Sequence, residues 1–307
     1  MGNSHNRNYP VAMGKLQEVE LLVDLPCEIA ECPTWHPEER RLYWTDIPAG
    51  RMYFWDAVSR RHELCYEDRP VGGMTLQRNG ELLLFRDKGN VVAFRAGKVL
   101  RTVIASIPEL ERTRFNDVIA DPCGRVFAGS LSFDQQTNGR LYRIDCDASY
   151  TVVSEGHATP NGMGFSPHCD VLYFTDSRRR VIYRFCYDKC SGALGQQEVF
   201  HCVSDEQLPL LGRSDGMTVD AEGNIWSARY EGGQVLKISP RGEVLESWPI
   251  PVRNVTSLTF GGDNYTELFV TTAGGPHRDA QQPLAGALFR LRPGVRGRAE
   301  FRSAIGL

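Results

Sequence analysis

The feature that most constrains this chain is that it repeats itself six times, and periodicity of this kind decides the fold before any local detail does. Each unit opens on two small or polar residues followed by a short apolar alternation. A turn comes next, then an apolar run ending in an aromatic and small residues, then a third strand. The clearest copy runs Asn161-Gly162-Met163-Gly164-Phe165, then Val171-Leu172-Tyr173-Phe174-Thr175-Asp176, then Val181-Ile182-Tyr183-Arg184-Phe185. A second opens at Asp215-Gly216-Met217-Thr218-Val219 and turns through Asp220-Ala221-Glu222-Gly223. The others open at Glu31-Cys32-Pro33, Gly72-Gly73-Met74, Asn116-Asp117-Val118 and Thr256-Ser257-Leu258. The third residues of the six openings fall at 33, 74, 118, 163, 217 and 258, so the gaps are 41, 44, 45, 54 and 41.

Gaps of this size match a four-stranded propeller blade. The strand candidates are short, rich in Val, Ile, Leu and aromatics, and bounded by Gly, Pro, Asn or Asp. No sustained 3.6-residue apolar period suggests a helical domain. The chain is therefore expected to be all-β: a six-bladed β-propeller with four-stranded blades, one domain over residues 18–307 behind a flexible tail of residues 1–17. Outer strands are expected at Val99–Ala105, Tyr150–Ser154, Glu198–Val203 and Val244–Trp248. Glu18–Val23 and Ala299–Arg302 are the two candidates for the strand that closes the ring. The gap of 54 leaves an extra loop, Ser204–Arg213.

Composition narrows the partners. A net charge of −3 and a pI near 6.2 give no electrostatic footprint for nucleic acid or an anionic membrane. No run approaches the ~18 apolar residues of a membrane span, and Met1–Gln17 lacks the apolar middle of a secretion signal. A cytoplasmic chain is the expectation. Nine cysteines, an odd number without paired CxxC spacing, read as small hydrophobes in a reducing compartment.

Radial repetition places equivalent positions around one axis. The six opening residues are Glu31, Gly72, Asn116, Asn161, Asp215 and Thr256. Taken singly, Asn-Gly and Asp-Gly are turn dipeptides. Four acid or amide side chains in one register out of six point instead to a shared site. Carboxylates with amide oxygens suit a hard ion such as Ca²⁺, Mg²⁺ or Mn²⁺, and Zn²⁺ or Fe(II) are compatible with them. His36 and His157 read as loop or supporting residues. HExxH, GxSxG and Walker motifs are absent, so nucleophilic serine catalysis has no anchor.

Glu31-Cys32-Pro33-Thr34-Trp35, Arg114-Phe115-Asn116-Asp117, Pro160-Asn161-Gly162-Met163 and Ser214-Asp215-Gly216-Met217 together resemble the signature segments of the gluconolactonase/regucalcin (senescence marker protein) family. The resemblance spans about residues 18–300. It implies a six-bladed propeller that binds one divalent cation and hydrolyses a sugar (aldono) lactone such as gluconolactone or a pentonolactone. By that resemblance Glu31, Asn161 and Asp215 are the metal ligands, and Asp215 is also the general base. Arg114 and Asn116 contact the substrate, with Asp134 standing where relatives carry Glu. Val118 and Cys32 also depart from the family pattern, each standing where Gly is common.

Two other readings compete. The same scaffold and cation could serve a phosphotriester or another ester, since one polarising ion suits both acyl and phosphoryl centres. A non-enzymatic calcium-binding or protein-interaction propeller is the third, although such propellers seldom need four convergent acids and amides.

Overall fold

The computed structural model describes residues 12–13, 19–131 and 139–307. Asp134 lies outside the described residues, as does the tail read over residues 1–17 apart from Ala12–Met13. Six sheets are built on four antiparallel strands each; five of these are meanders of consecutive strands, and the sixth takes its outer strand from the N-terminal side of the chain. Their innermost strands are Ala30–His36, Val71–Leu76, Phe115–Ala120, Pro160–Phe165, Arg213–Val219 and Val255–Gly261, numbered here as blades one to six. Blade five gains a short fifth strand where Ala12–Met13 runs parallel to Glu246–Ser247. Among the described residues no helix is long and apolar enough to cross a membrane.

Burial follows radius. The strands Val71–Leu76, Pro160–Phe165 and Val255–Gly261 are buried along their whole length, because neighbouring blades cover both faces. The outermost strand of blade one, His62–Glu67, is mostly exposed. Large rings fill the seams between blades. Phe115 meets Phe85 and Tyr142 edge-on at 5.4 and 6.2 Å, and Trp226 meets Phe260 edge-on at 5.9 Å. Each such buried ring contributes on the order of 2 kcal/mol from the apolar area it removes from water.

The ring closes through Glu20–Val23, which pairs antiparallel with Leu288–Leu291 and completes blade six. The other candidate, Ala299–Arg302, has a different task. With the outer position of blade six taken, the C-terminal segment crosses the end of the channel opposite the opening residues. Gly297 bridges Asp220, Ser303 bridges Gln77, and Ala304 N–H donates to Gly124 O. Glu300 and Phe301 line a channel cavity of about 70 Å³, and Ile305 is fully buried in the apolar core shared by blades two and three.

One irregularity is shared by all six blades. Each innermost strand slips register against its neighbour at the opening residue. The slips fall between Glu31 and Thr34, Val71 and Gly73, Phe115 and Val118, Pro160 and Met163, Ser214 and Met217, and Val255 and Ser257. A bulge leaves its extra residue off the ladder and re-aims side chains. Repeated six times, it turns the opening residues toward the axis. The Asn-Gly and Asp-Gly pairs therefore sit in bulged strands, not in tight turns.

The nine cysteines are free. Cys27 and Cys32 are buried like the small hydrophobes expected, whereas Cys123, Cys146, Cys186, Cys190 and Cys202 are exposed.

Candidate active site

Two carboxylates outside the site fix how the chain enters it. Asp46, at the end of the second strand of blade one, accepts N–H bonds from Glu28 and Ile29 at 3.1 and 3.0 Å. Asp176 does the same in blade four for Ala158 and Thr159, both at 2.9 Å. Each therefore clamps the residues just ahead of Glu31 or Asn161. A paired acceptor of this kind satisfies two backbone donors that the sheet cannot reach.

The residues thus delivered meet at the channel mouth. Asn161 Nδ2 donates to Asp215 Oδ1 and, at 3.0 Å, to Ser177 Oγ. Arg114 and Asn116, two apart on one strand edge, face the same side: Arg114 Nη1 donates to Asn116 Oδ1 at 2.8 Å and to Phe115 O at 2.8 Å. Asn116 Nδ2 in turn donates to Pro160 O at 2.8 Å, joining blades three and four. Glu31 Oε2 accepts the N–H of Cys32 at 3.1 Å.

The remaining two openings are structural. Thr256 Oγ1 donates to Ala30 O across the seam between blades six and one. Gly72 makes room, since a Cβ there would lie 1.9 Å from Phe115 O and 3.2 Å from Arg114 Nη1.

The electrostatics of the cluster are unbalanced. Burial, with Asp215 and Asp117 close by, holds the Glu31 carboxyl well above its usual range. Burial and the neighbouring Asp117 do the same to Asp215. Burial pushes Asp117 up to about 7 even though the Arg114 guanidinium pulls the other way. Burial also brings Arg114 down to about 10 and Arg229 down to about 9, each opposed by the carboxylates beside it. Three buried acids share one region with two buried guanidiniums, so ionising all of them requires more positive charge than the protein supplies.

That imbalance, and one orphaned atom, make the donor set suitable for a cation. Asn161 Oδ1 is buried and has no hydrogen-bond partner. Among the described residues no three His, Cys, Asp or Glu side chains form a group able to hold a metal. The set that could do so is therefore Glu31, Asp215 and the Asn161 amide oxygen, with water completing the shell. These are hard oxygen donors of the type that suits Ca²⁺, Mg²⁺ or Mn²⁺.

Two charged residues of this region were given no role by the sequence. Asp117 was legible only as part of the Asn-Asp pair, because regular strand alternation sends it away from the side Asn116 occupies. The bulge at Phe115/Val118 breaks that alternation, and Asp117 lines the channel cavity. Arg229 is the last residue but one of the second strand of blade five, outside any motif, yet it is fully buried next to Asp215. His157 supports blade four, with Nε2 2.8 Å from Ser154 Oγ, and His36 Nε2 lies 3.3 Å from Gly80 O.

Comparison with known proteins agrees with this architecture. Residues 29–274 match the family described as the SMP-30/Gluconolactonase/LRE-like region. The chain is 43% identical to the pentonolactonase XacC of Haloferax volcanii over 299 residues, covering 94% of this chain and 99% of that protein. It is 34% identical to a 6-deoxy-6-sulfogluconolactonase of Pseudomonas putida, covering 92% and 98% of the two. A solved luciferin-regenerating enzyme superposes with a TM-score of 0.85 at 25% identity, over 94% of this chain and 99% of that one.

Proposed function

The chain belongs to the SMP-30/gluconolactonase/LRE-like family, and on that premise we propose that it is a metal-dependent hydrolase of a sugar (aldono) lactone, opening it to the free acid. The observation that carries this reading is the meeting of Asn161 and Asp215 beside Glu31, with an unpartnered amide oxygen and acids pressed toward protonation. The relative of highest identity named above is a pentonolactonase, which favours a pentonolactone over larger lactones as the first substrate to try.

Glu31, Asp215 and the unpartnered Asn161 amide oxygen would hold one divalent ion. When bound, such an ion supplies Lewis acidity at the lactone carbonyl. Asp215 acts as general base: one oxygen faces the ligand set, and the other takes the proton of the attacking water. That proton then passes to the ring oxygen as the acyl–oxygen bond breaks, leaving a hydroxy acid. Arg114 and Asn116, fixed to each other, present donors to the lactone's oxygens and orient the ring. Burial of the cluster strengthens each of these interactions relative to water.

A panel of aldonolactones, run beside a phosphotriester on chelated and metal-restored protein, tests the reading. Metal-dependent turnover confined to lactones supports it. Equal activity on the phosphotriester would assign a different substrate class to the same ion. Tight Ca²⁺ binding without turnover of any lactone would make the chain a binding propeller.

A further inference from the structure

The clamp that Asp46 and Asp176 provide occupies a fixed place in the blade. In register, Asp46 stands opposite Ala30 and Asp176 opposite Pro160, the residues that precede Glu31 and Asn161. The same place in blade five, opposite Ser214 and so preceding Asp215, belongs to Arg229. There the polarity is inverted. Where the carboxylates gather backbone N–H groups, Arg229 gathers oxygens: Nε donates to Leu211 O and Nη2 to Gly212 O, each at 2.8 Å, while Nη1 donates to Ser214 Oγ. Gln234 Nε2 adds a bond to Leu210 O at 2.7 Å.

What Arg229 holds is the insert of residues 204–213, which lengthens the connection from blade four to blade five. It includes the short helix Leu208–Leu211 and leads directly into the strand carrying Asp215, at the mouth end of the channel. Arg229 itself is 0% exposed. Among the described residues, the carboxylate that acts on it through space is Asp215. A guanidinium bound to carbonyls and a hydroxyl keeps its positive charge beside Asp215 without bridging it, so the Asp215 oxygens are not consumed in an ion pair.

We infer that Arg229 is a positioning residue for the lactone hydrolysis proposed above: it ties the insert between blades four and five to Ser214 so that Asp215 reaches the axial cluster in a fixed place with its carboxylate unbridged. The inference rests on the reading of Asp215 as ligand and base. The three bonds leave three different guanidinium nitrogens, and the donors of an ammonium all sit on one nitrogen that cannot span Leu211, Gly212 and Ser214, so lysine is an incomplete substitute.

The test compares Arg229→Met, Arg229→Lys and Ser214→Ala with Asp215→Asn in the full chain, using steady-state kinetics on a pentonolactone and backbone hydrogen exchange across residues 208–212. Arg229→Met is expected to lower kcat by about 30-fold or more, raise KM, and speed exchange in the insert by about tenfold. Arg229→Lys is expected to recover part of kcat, because it restores the charge, while the insert still exchanges fast. Ser214→Ala is expected to lower kcat by about threefold to tenfold with the charge intact. Faster exchange with kcat and KM at parental values would show a merely structural role and overturn the inference. If Arg229→Met does not fold, parental kinetics and exchange in both Arg229→Lys and Ser214→Ala overturn it equally. An Asp215→Asn variant that stays fully active would sink the reading of the site whatever Arg229 does. An inactive Asp215→Asn beside a normal Arg229→Met sinks the Arg229 inference alone.

Discussion

Asn161 Nδ2 donates to Asp215 Oδ1 across the seam between blades four and five, joining side chains 54 residues apart in the sequence. The bond shows how the fold makes a site. Regular strand pairing would bring neither side chain there. Each arrives because a bulge at the same point of each repeat turns the opening residue toward the axis.

The buried acids set a pH dependence of stability opposite to that of most carboxylates. Asp117 is raised from 3.8 to about 7, and Glu31 and Asp215 are raised with it. The folded state therefore binds more protons than the unfolded chain across that interval, and stability falls as pH rises through it. In chelator, the unfolding midpoint should be higher at pH 5 than at pH 8. Added Ca²⁺ should flatten or reverse the slope. A chelated protein whose stability rose steadily from pH 5 to pH 8 would contradict the burial of uncompensated acids.

Arg114→Ala should act on substrate binding and on Asn116 together, since it removes the donor that fixes the Asn116 amide. We expect KM to rise by about tenfold or more with a smaller loss in kcat, the signature of lost ground-state contacts. Arg114→Lys should restore little, because Nη1 is already committed to Phe115 O and Asn116 Oδ1 and lysine has no second nitrogen to offer the lactone. Steady-state kinetics on a pentonolactone decide it; an unchanged KM in Arg114→Ala would remove the residue from substrate contact.

Gly162 lets two innermost strands approach. A Cβ at that position would lie 2.4 Å from Met217 N and 2.6 Å from Asp215 O. Gly162→Ala should therefore push blade five outward, costing about 1–3 kcal/mol in stability as overpacking does. It should also weaken cation binding, because Asp215 moves with the strand. Denaturant unfolding and Ca²⁺ titration check the two effects. A variant of parental stability would mean that the seam is looser than the contacts indicate.

The repeat made most of this architecture readable in advance. Spacing alone placed the six openings, and the outer strands expected near Val99, Tyr150 and Val244 are present as Lys98–Ile104, Tyr150–His157 and Val244–Pro249. The sequence left two candidates for ring closure because short alternating segments look alike whether they pair at an edge or lie across a channel. Glu20–Val23 took the edge, and Ala299–Arg302 went to the channel floor. Asp117 was hidden because a bulge inverts strand alternation without changing composition. Arg229 was hidden because its partners are backbone oxygens of an insert, for which side-chain patterns carry no code.

Calorimetric titration of metal-stripped protein with Ca²⁺, with lactone opening followed in parallel samples, addresses the axial cation most directly. An axial cation requires that one equivalent binds, that heat and rate saturate at the same ratio, and that Asp215→Asn abolishes both. Full lactone turnover by the stripped protein, or saturable Ca²⁺ binding that leaves the rate unmoved, would contradict it.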